Sequence, residues 1–297
     1  MSKSGQPQTA RELINWTNDR FERADLYYGH GTDNAYDEAV YLVLCSLGMS
    51  FEIPDSTLDA PLQQTQIDTV LYKVRQRIDT RIPVAYLVNE AWFAGLSFYV
   101  DERVLVPRSP IAELIEDEFS PWLKNPPARI LDIGTGSGCI AIACALAFPQ
   151  AIVDAVDISP EALEVTKKNI GKYSLADRVK PIQSDLFENL GTQQYDLIVT
   201  NPPYVSIAEV EELPPEYRHE PVLGLAAGSK GLDVVDKLLA ESKSHLHRDG
   251  VIIVEVGYTQ EAMTEAYPGL AMTWLDFRNG GEGVFLLGYD ELGKYTF

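Results

Sequence analysis

Ala128-Arg129-Ile130-Leu131-Asp132-Ile133-Gly134-Thr135-Gly136-Ser137-Gly138 is the stretch on which the fold class turns. Its first half is an apolar run of strand length, and the helical run Cys139-Ile140-Ala141-Ile142-Ala143-Cys144-Ala145-Leu146 follows the glycines. A strand, a glycine-rich turn and a helix N-terminus together make a nucleotide-class binding corner. Glycine lets backbone approach a ligand closely and takes up positive φ without strain. The spacing is G-x-G-x-G, not G-x-G-x-x-G, and no Gly-Lys-Ser/Thr follows, which argues against a dinucleotide and against a nucleoside triphosphate. The next strand, Ala151 to Asp157, ends in an acid about 20 positions beyond the glycines, where a ribose diol is held. Asp157 could instead cap the helix that opens at Ser159-Pro160-Glu161. Ser159 is the better cap, with Pro160 at the first helical position, so Asp157 is left for a ligand.

Outward from this corner, strands and helices alternate to the C-terminus, which predicts an α/β domain with a mainly parallel sheet covered on both faces. The run Tyr195-Asp196-Leu197-Ile198-Val199-Thr200 is a further buried strand, stopped by Asn201-Pro202-Pro203-Tyr204. Each proline lacks an N–H and fixes φ near −65°, so the turn is stiff. A stiff turn can aim the Asn201 side-chain carbonyl and the Pro202 backbone carbonyl at one point, and an NH₂ group fits two convergent acceptors. Asp185, after the short strand Val179 to Ile182, is placed to accept from an exocyclic amine of adenine, and Phe187 is available either to pack on that ring or to fill the core.

These residues resemble the class I S-adenosylmethionine-dependent methyltransferases, and within them the N(5)-glutamine methyltransferases. The resemblance runs from about Ala10 to about Leu287 and includes Phe93 to Val100, Val104 to Pro110, Glu220-Pro221 and Gly231-Leu232 as well as the two turns. It implies a Rossmann-like, mainly parallel seven-stranded sheet with an antiparallel edge strand, S-adenosylmethionine as cofactor, and methyl transfer to a glutamine side-chain amide of a protein. The candidate cofactor-binding residues are Asp132, Gly134, Thr135, Gly136, Gly138, Asp157, Ile158, Asp185, Leu186, Phe187 and Asn201. Asn201, Pro202 and Tyr204 are the candidate catalytic residues, and Asn201, Pro202, Pro203, Tyr204 and Arg108 the candidate substrate-binding ones, with a surface salt bridge as the alternative role for Arg108; no metal is expected. Where release-factor enzymes read Ile-Pro-Arg-Pro-Glu/Asp-Thr-Glu, this chain has Val106-Pro107-Arg108-Ser109-Pro110-Ile111-Ala112-Glu113. That wording and the Asn15-Trp16 element are similar to the branch acting on large-subunit ribosomal protein L-three; the Gly-Gly-Gln of peptide release factors is the alternative substrate.

The chemistry explains why such a turn is needed. An amide nitrogen has its lone pair delocalised into the carbonyl and is a weak nucleophile. The sulfonium supplies the driving force, and the enzyme supplies geometry, worth several kcal/mol on the order of known effective-molarity gains. Two acceptors on the two N–H bonds turn the lone pair toward the methyl carbon.

Composition bounds the rest. The 297 residues, 45% apolar, suffice for one large or two smaller domains. No run is long and apolar enough to span a bilayer, and Met1 to Pro7 is polar, unlike a signal peptide. Three cysteines inside apolar helical runs point to reduced thiols and a cytoplasmic setting. Four histidines are too few and scattered for a metal site, and His245 and His247 are expected to meet a helix dipole and solvent. Forty-four acids against 24 bases give −20, which repels naked nucleic acid and either attracts a basic ribosomal protein or reflects an acidic or saline habitat. The same Asn-Pro-Pro-Tyr turn serves DNA and RNA base amino-methyltransferases, but the chain lacks a basic, aromatic-interleaved patch.

The expected domains are a helical substrate-recognition domain over 1–88, a β-hairpin connector over 89–107 turning at Gly95, and a catalytic domain over 108–297. A helix is expected over Ile111 to Leu123, and an antiparallel pair at about Met272 to Phe277 and Gly283 to Leu287. The segment from Tyr204 to Gly231 has no clear periodicity and reads either as a substrate-facing lid, its acids Glu209, Glu211, Glu212 and Glu216 meeting basic side chains of the protein substrate, or as a solvated surface loop.

Overall fold

The computed structural model of the protein describes residues 7–296, so the polar opening Met1 to Gln6 lies outside the described residues. The chain divides into two compact units. One runs through Ala91 and takes in Pro214–His219; the other comprises Trp92–Leu213 and the chain from Glu220 onward.

The first unit is helical: α1 (Ala10–Arg23), α2 (Ala35–Leu47), α3 (Asp55–Leu58), α4 (Gln64–Thr80) and α5 (Val84–Val88). Thr9 caps α1 by accepting from the Glu12 N–H, and Asn34 caps α2 by accepting from that of Asp37, each cap worth about 1 kcal/mol. The periodic residues Ile67, Val70, Leu71 and Val74 of α4 are all buried. Beside them lies a fully buried charge. The Arg77 guanidinium donates to Glu38 at 2.6 Å, to Glu216 at 3.1 Å and to the Tyr27 carbonyl at 2.8 Å. A buried guanidinium is tolerable only when paired in this way. Glu216 is therefore not one of the substrate-facing acids that the lid reading made it: it is 0% exposed and also accepts from the Tyr27 N–H.

The hairpin β1 (Ala91–Phe93) and β2 (Leu96–Phe98) follows, all of it but Ala91 in the second unit. Its two-residue turn puts Ala94 and Gly95 at φ 47° and 70°, the double positive that a tight hairpin requires. Helix α6 (Ile111–Glu116) stops short of Leu123. Glu118 and Phe119 turn to φ 49° and 54°, which drives the Phe119 ring into the core at 0% exposure. There follow β3 (Arg129–Ile133), α7 (Cys139–Ala147), β4 (Ile152–Asp157), α8 (Pro160–Lys172), β5 (Val179–Gln183) and β6 (Tyr195–Thr200). After β6 come α9 (Ile207–Glu212), α10 (Asp233–Ser242), β7 (Leu246–Glu255), α11 (Gln260–Ala266), β8 (Thr273–Trp274), β9 (Val284–Gly288) and α12 (Tyr289–Lys294).

Seven strands form one sheet in the order β5-β4-β3-β6-β7-β9-β8. All neighbours are parallel up to β7, and β9 runs antiparallel to both β7 and β8. Pro181, which cannot donate to a ladder, sits in the edge strand β5. Alternate residues of the central strands feed two cores. Ile130, Leu197, Val199, Val251 and Ile253 pack with Ile111 and Ile140 on one face. Leu131, Ile198, Ile252 and Val254 pack with Leu238, Met263 and Leu292 on the other. Each fully buried aliphatic side chain contributes about 1.5–3 kcal/mol, so the centre of the sheet is rigid and its strand ends are fixed platforms. β3 is where the chain reverses direction across the sheet, with β4 on one side and β6 on the other, and the crevice at the carboxyl ends of such strands is where open α/β sheets bind ligands.

Candidate active site

Ile133 pairs with Thr200, and the Thr200 hydroxyl donates to the Ile133 carbonyl at 2.7 Å. The next residues, Gly134 and Asn201, therefore leave adjacent strands together: a Cβ on Gly134 would lie 3.8 Å from the Asn201 carbonyl oxygen. On its other side β6 pairs with β7, Thr200 opposite Val254, so Asn201 leaves the sheet next to Glu255 as well.

The glycine turn is shaped by polar groups behind it. Gly134 and Gly136 take φ 71° and 54°, and a Cβ on Gly136 would meet nothing nearer than 4.0 Å. Here glycine serves the backbone conformation and leaves an open cradle. Gly138 differs, since its Cβ would come within 2.9 Å of Thr166 and its absence lets α8 approach. Asp132 is fully buried. One carboxylate oxygen accepts from the Thr135 hydroxyl at 2.6 Å and from the Ala141 N–H in the first turn of α7 at 3.0 Å. Its other oxygen, Oδ1, has no hydrogen-bond partner. Burial pushes this carboxyl up to about 7, against those two donors. Thr135 is thereby committed to Asp132, with its own N–H on the Val156 carbonyl. Asp157 accepts from the Gly136 N–H at 2.8 Å and the Ser159 N–H at 2.9 Å, and burial raises its pKa. It thus fixes the turn while standing at the end of β4; Ser159 caps α8.

Ile158, beside Asp157, is 46% exposed, an apolar side chain without a core to fill. Leu186 takes φ 47°, an uncommon conformation for a branched residue, and the half-buried Asp185 precedes it. Phe187 is 3% exposed and lies in the core, stacked on His245 with ring centroids 4.5 Å apart. The core alternative for Phe187 is thus the one realised, and His245 is a buried core partner whose Nδ1 meets the Gln193 carbonyl, not a solvent-facing residue. His247 pairs with Asp196 at 2.8 Å.

The Asn201 side chain is half-buried, and among the described residues neither its amide nor the Pro202 carbonyl is engaged in a hydrogen bond. Both acceptors are thus available to a ligand. Tyr204 is held firmly. Its ring lies against Gly257, where a Cβ would come within 2.7 Å, and meets Tyr258 edge-on at 6.0 Å; its carbonyl lies against Gly231, where a Cβ would come within 2.3 Å. Arg108 does not point a free charge at a substrate. It donates to the buried Glu220 at 2.7 Å through one nitrogen and pairs with the other Glu220 oxygen through a second, and Glu220 also accepts from the Val106 N–H at 3.0 Å. The lid has local order that its sequence did not announce: α9 carries a capping box in which Ser206 and Glu209 hold each other's backbone N–H groups, so Glu209 is partly committed while Glu211 and Glu212 remain exposed.

A model of the methyltransferase small domain matches residues 118–213, which span both turns. The ribosomal protein uL3 glutamine methyltransferase of Francisella tularensis is 45% identical over 289 residues, covering 97% of this chain and 92% of that protein. The enzyme of the same name from Bordetella pertussis is 46% identical over 287 residues, covering 96% of each. The chain belongs to the glutamine methyltransferase family of these relatives. A solved methyltransferase from Pyrococcus furiosus is 17% identical with a TM-score of 0.49, covering 76% of this chain and 99% of that one.

In this methyltransferase the methyl donor is S-adenosylmethionine, and the residues present suit it. The orphaned Asp132 oxygen calls for a cationic or N–H partner, the glycine cradle is open, and the α7 N-terminus favours a carboxylate. Four supporting residues escaped the sequence reading. The Thr166 hydroxyl donates to the Gly136 carbonyl at 2.7 Å, and Asn169 donates to the carbonyls of Ser137 at 2.8 Å and Tyr99 at 2.9 Å. The available signal was two polar residues, i and i+3, on the otherwise apolar buried face of α8. Ser109 and Glu255 are the other two, and no local pattern marks Glu255.

Proposed function

We propose that the protein transfers a methyl group from S-adenosylmethionine to a glutamine side-chain amide of ribosomal protein uL3. The observation that supports this reading is the emergence of Gly134 and Asn201 from paired positions on adjacent strands, so that a cofactor cradle at one and an amide seat at the other would meet. The substrate is taken from the two relatives at 45% and 46% identity, whose names state it. The net charge of −20 suits a basic partner, and no described helix is long and apolar enough to cross a membrane; a cytoplasmic setting goes with this reading.

When bound, the cofactor supplies a methyl carbon activated by positive sulfur. The chain supplies the rest. Asp132 and the glycine turn would hold the cofactor, and Asp157, Ile158 and Asp185 would bind its nucleoside. The Asn201 side-chain carbonyl and the Pro202 carbonyl accept the two amide N–H bonds, which rotates the nitrogen lone pair toward the methyl carbon. Tyr204 lies over the amide and excludes water. As the amide nitrogen would bond to the methyl carbon, the carbon–sulfur bond would break with its electron pair returning to sulfur as a neutral thioether, and the amide proton would leave afterwards, so no strong base is needed.

Label transfer from S-adenosylmethionine to purified uL3 and to a peptide release factor tests this reading. Label on uL3 is expected, with a loss on the order of 10²-fold or more in Asn201→Ala at unchanged cofactor affinity, the scale seen when a positioned polar partner of the reacting group is removed. Label on the release factor alone would overturn the substrate, and near-normal turnover by Asn201→Ala would overturn the amide seat.

A further inference from the structure

Behind Tyr204 lies a buried polar cluster that the chemistry above does not use. Glu255, the last residue of β7, is 4% exposed. The Ser109 hydroxyl donates to its Oε2, and Ser109 in turn accepts from the Ile111 N–H at 3.1 Å, at the start of α6. Glu255 also acts electrostatically on Tyr204, whose hydroxyl oxygen would lie 3.1 Å from a Cβ on Gly257, two residues further along the same segment. The charges and titratable groups acting on Glu255 are Arg108 and Tyr204, and Arg108 is itself neutralised by Glu220. Two residues on, Gly257 takes φ 49° and carries the Tyr204 ring, and Tyr258 meets that ring edge-on. Gly257 is fixed in turn, because a Cβ on Gly283 would lie 1.7 Å from its carbonyl oxygen and the Val256 N–H donates to the Gly283 carbonyl at 2.7 Å. The segment 255–258 is a seat built to the outline of one tyrosine.

We propose that Glu255 and Ser109 are positioning residues for methyl transfer: ionised Glu255 holds the Tyr204 hydroxyl from behind, Ser109 holds Glu255, and the tyrosine is thereby fixed over the substrate amide. The proposal rests on the reading of Asn-Pro-Pro-Tyr as the amide seat. An ionised carboxylate accepts from both hydroxyls at once. When Glu255 takes a proton, that proton must be donated to one of the two partners, which then has to turn its own hydrogen away. Burial pushes the carboxyl up to about 7, against Ser109, Arg108 and Tyr204, so the change falls in an accessible pH range. Because the protonated form releases one partner, turnover falls as pH drops through this value.

The test is kcat against pH, with both substrates saturating, for wild type, Glu255→Gln, Ser109→Ala, Tyr204→Phe and the double variant Glu255→Gln/Tyr204→Phe. Wild type should lose about tenfold in kcat across the midpoint and level off below it, because the neutral carboxyl is then as poor a partner as the glutamine of Glu255→Gln. Glu255→Gln should lose the acid limb and run roughly tenfold slower at pH 8, with KM for the protein substrate and cofactor affinity within about twofold. Ser109→Ala, which removes a donor to the ionised form, should move the limb to higher pH. The double variant should be little slower than Tyr204→Phe alone, since the two residues act as one unit. An acid limb that survives in Glu255→Gln, or single effects that multiply in the double variant, would overturn the proposal. If Glu255→Gln does not fold, an unmoved limb in Ser109→Ala overturns it on its own. Asn201→Ala is assayed alongside: if it keeps full turnover the amide seat itself is wrong, whatever Glu255 does.

Discussion

The glycine turn after β3 and the proline turn after β6 leave paired strands side by side, yet they are made rigid in opposite ways. The first is backbone with its side chains removed, and polar groups close in sequence brace it. Asp157 reaches Gly136 across a separation of 21 residues and Thr166 across 30. The second is stiff in itself through Pro202 and Pro203, and its tyrosine is braced from far away: Ser109 and Glu255, which bond each other, lie 146 residues apart. One βαβ unit contains nearly everything the proposed cofactor cradle needs, whereas the proposed amide seat is complete only once the sheet extends as far as β7 and β9. The two corners should therefore fail separately.

The largest separation is expected from Asp132→Asn. Loss of the buried negative charge should weaken cofactor binding by on the order of 30–100-fold, the worth of a charge-assisted partner, and should leave kcat at saturating cofactor much less affected. Stability should move the other way. The folded carboxyl titrates near 7, above its ordinary range, so the folded chain holds this proton more tightly than the unfolded chain does. The stability it gives is complete below the ordinary carboxylate value and declines as pH rises toward 7. Asparagine escapes that decline, so the variant without cofactor should gain up to about 3–4 kcal/mol over wild type at pH 8 and little at pH 4. Urea melts at the two values decide it, and a variant less stable than wild type at pH 8 would mean that Asp132 is a purely structural anion.

Gly257→Ala attacks the other corner alone. At φ 49° a Cβ is strained, and it would come within 2.7–3.1 Å of two ring carbons and the hydroxyl oxygen of Tyr204. The ring must shift by a few tenths of an ångström. A kcat lowered about tenfold with cofactor affinity unchanged is expected, since small misplacements of positioning groups are felt mainly in the transition state. Calorimetric cofactor titration and single-turnover rates check it; a cofactor affinity that fell with kcat would join the two corners into one.

The same contrast decides what could be read from the residues alone. The cradle was legible because glycines, a strand-terminal acid and a helix cap signal locally, and strand alternation gave the sheet and its antiparallel closing pair. Asn-Pro-Pro-Tyr was legible as a stiff acceptor turn. Its support was not, because Glu255 is an ordinary strand-end acid until β7 lies beside β6 and the turn of Val106 to Ser109 is folded against it. Glu216 was misread, and Arg108 takes the salt-bridge alternative, for a related reason. Charged residues in irregular segments suggest solvent or substrate, but here one is tied to a fully buried partner and the other is itself buried, facts that only tertiary pairing creates. The α6 overrun has a backbone cause: nothing in Asp117-Glu118-Phe119 forbids a helix, and the two left-handed residues are imposed by the place that the Phe119 ring takes in the core.

Phe187→Leu gives the smallest and sharpest expectation, because Phe187 lies in the motif region of the cradle but is packed like core. If its ring formed a face of the adenine site, removing the aromatic surface would lose a stacking interaction of about 0.5–1.5 kcal/mol beyond area and lower cofactor affinity by up to tenfold. The ring is instead 3% exposed and nearly parallel to His245, at an interplanar angle of 11°. Leucine keeps the apolar character, leaves a small void against His245, and should cost about 1–2 kcal/mol of stability. Cofactor affinity should stay within about twofold. The exposed Ile158 then stands as the apolar surface next to Asp157, and Ile158→Ser, made in parallel, should lower affinity more than Phe187→Leu does while leaving the melting temperature nearly unchanged. A reversed order, with Phe187 controlling affinity and Ile158 controlling stability, would return the aromatic residue to the cradle and show that the βαβ unit braces it less completely than its local hydrogen bonds imply.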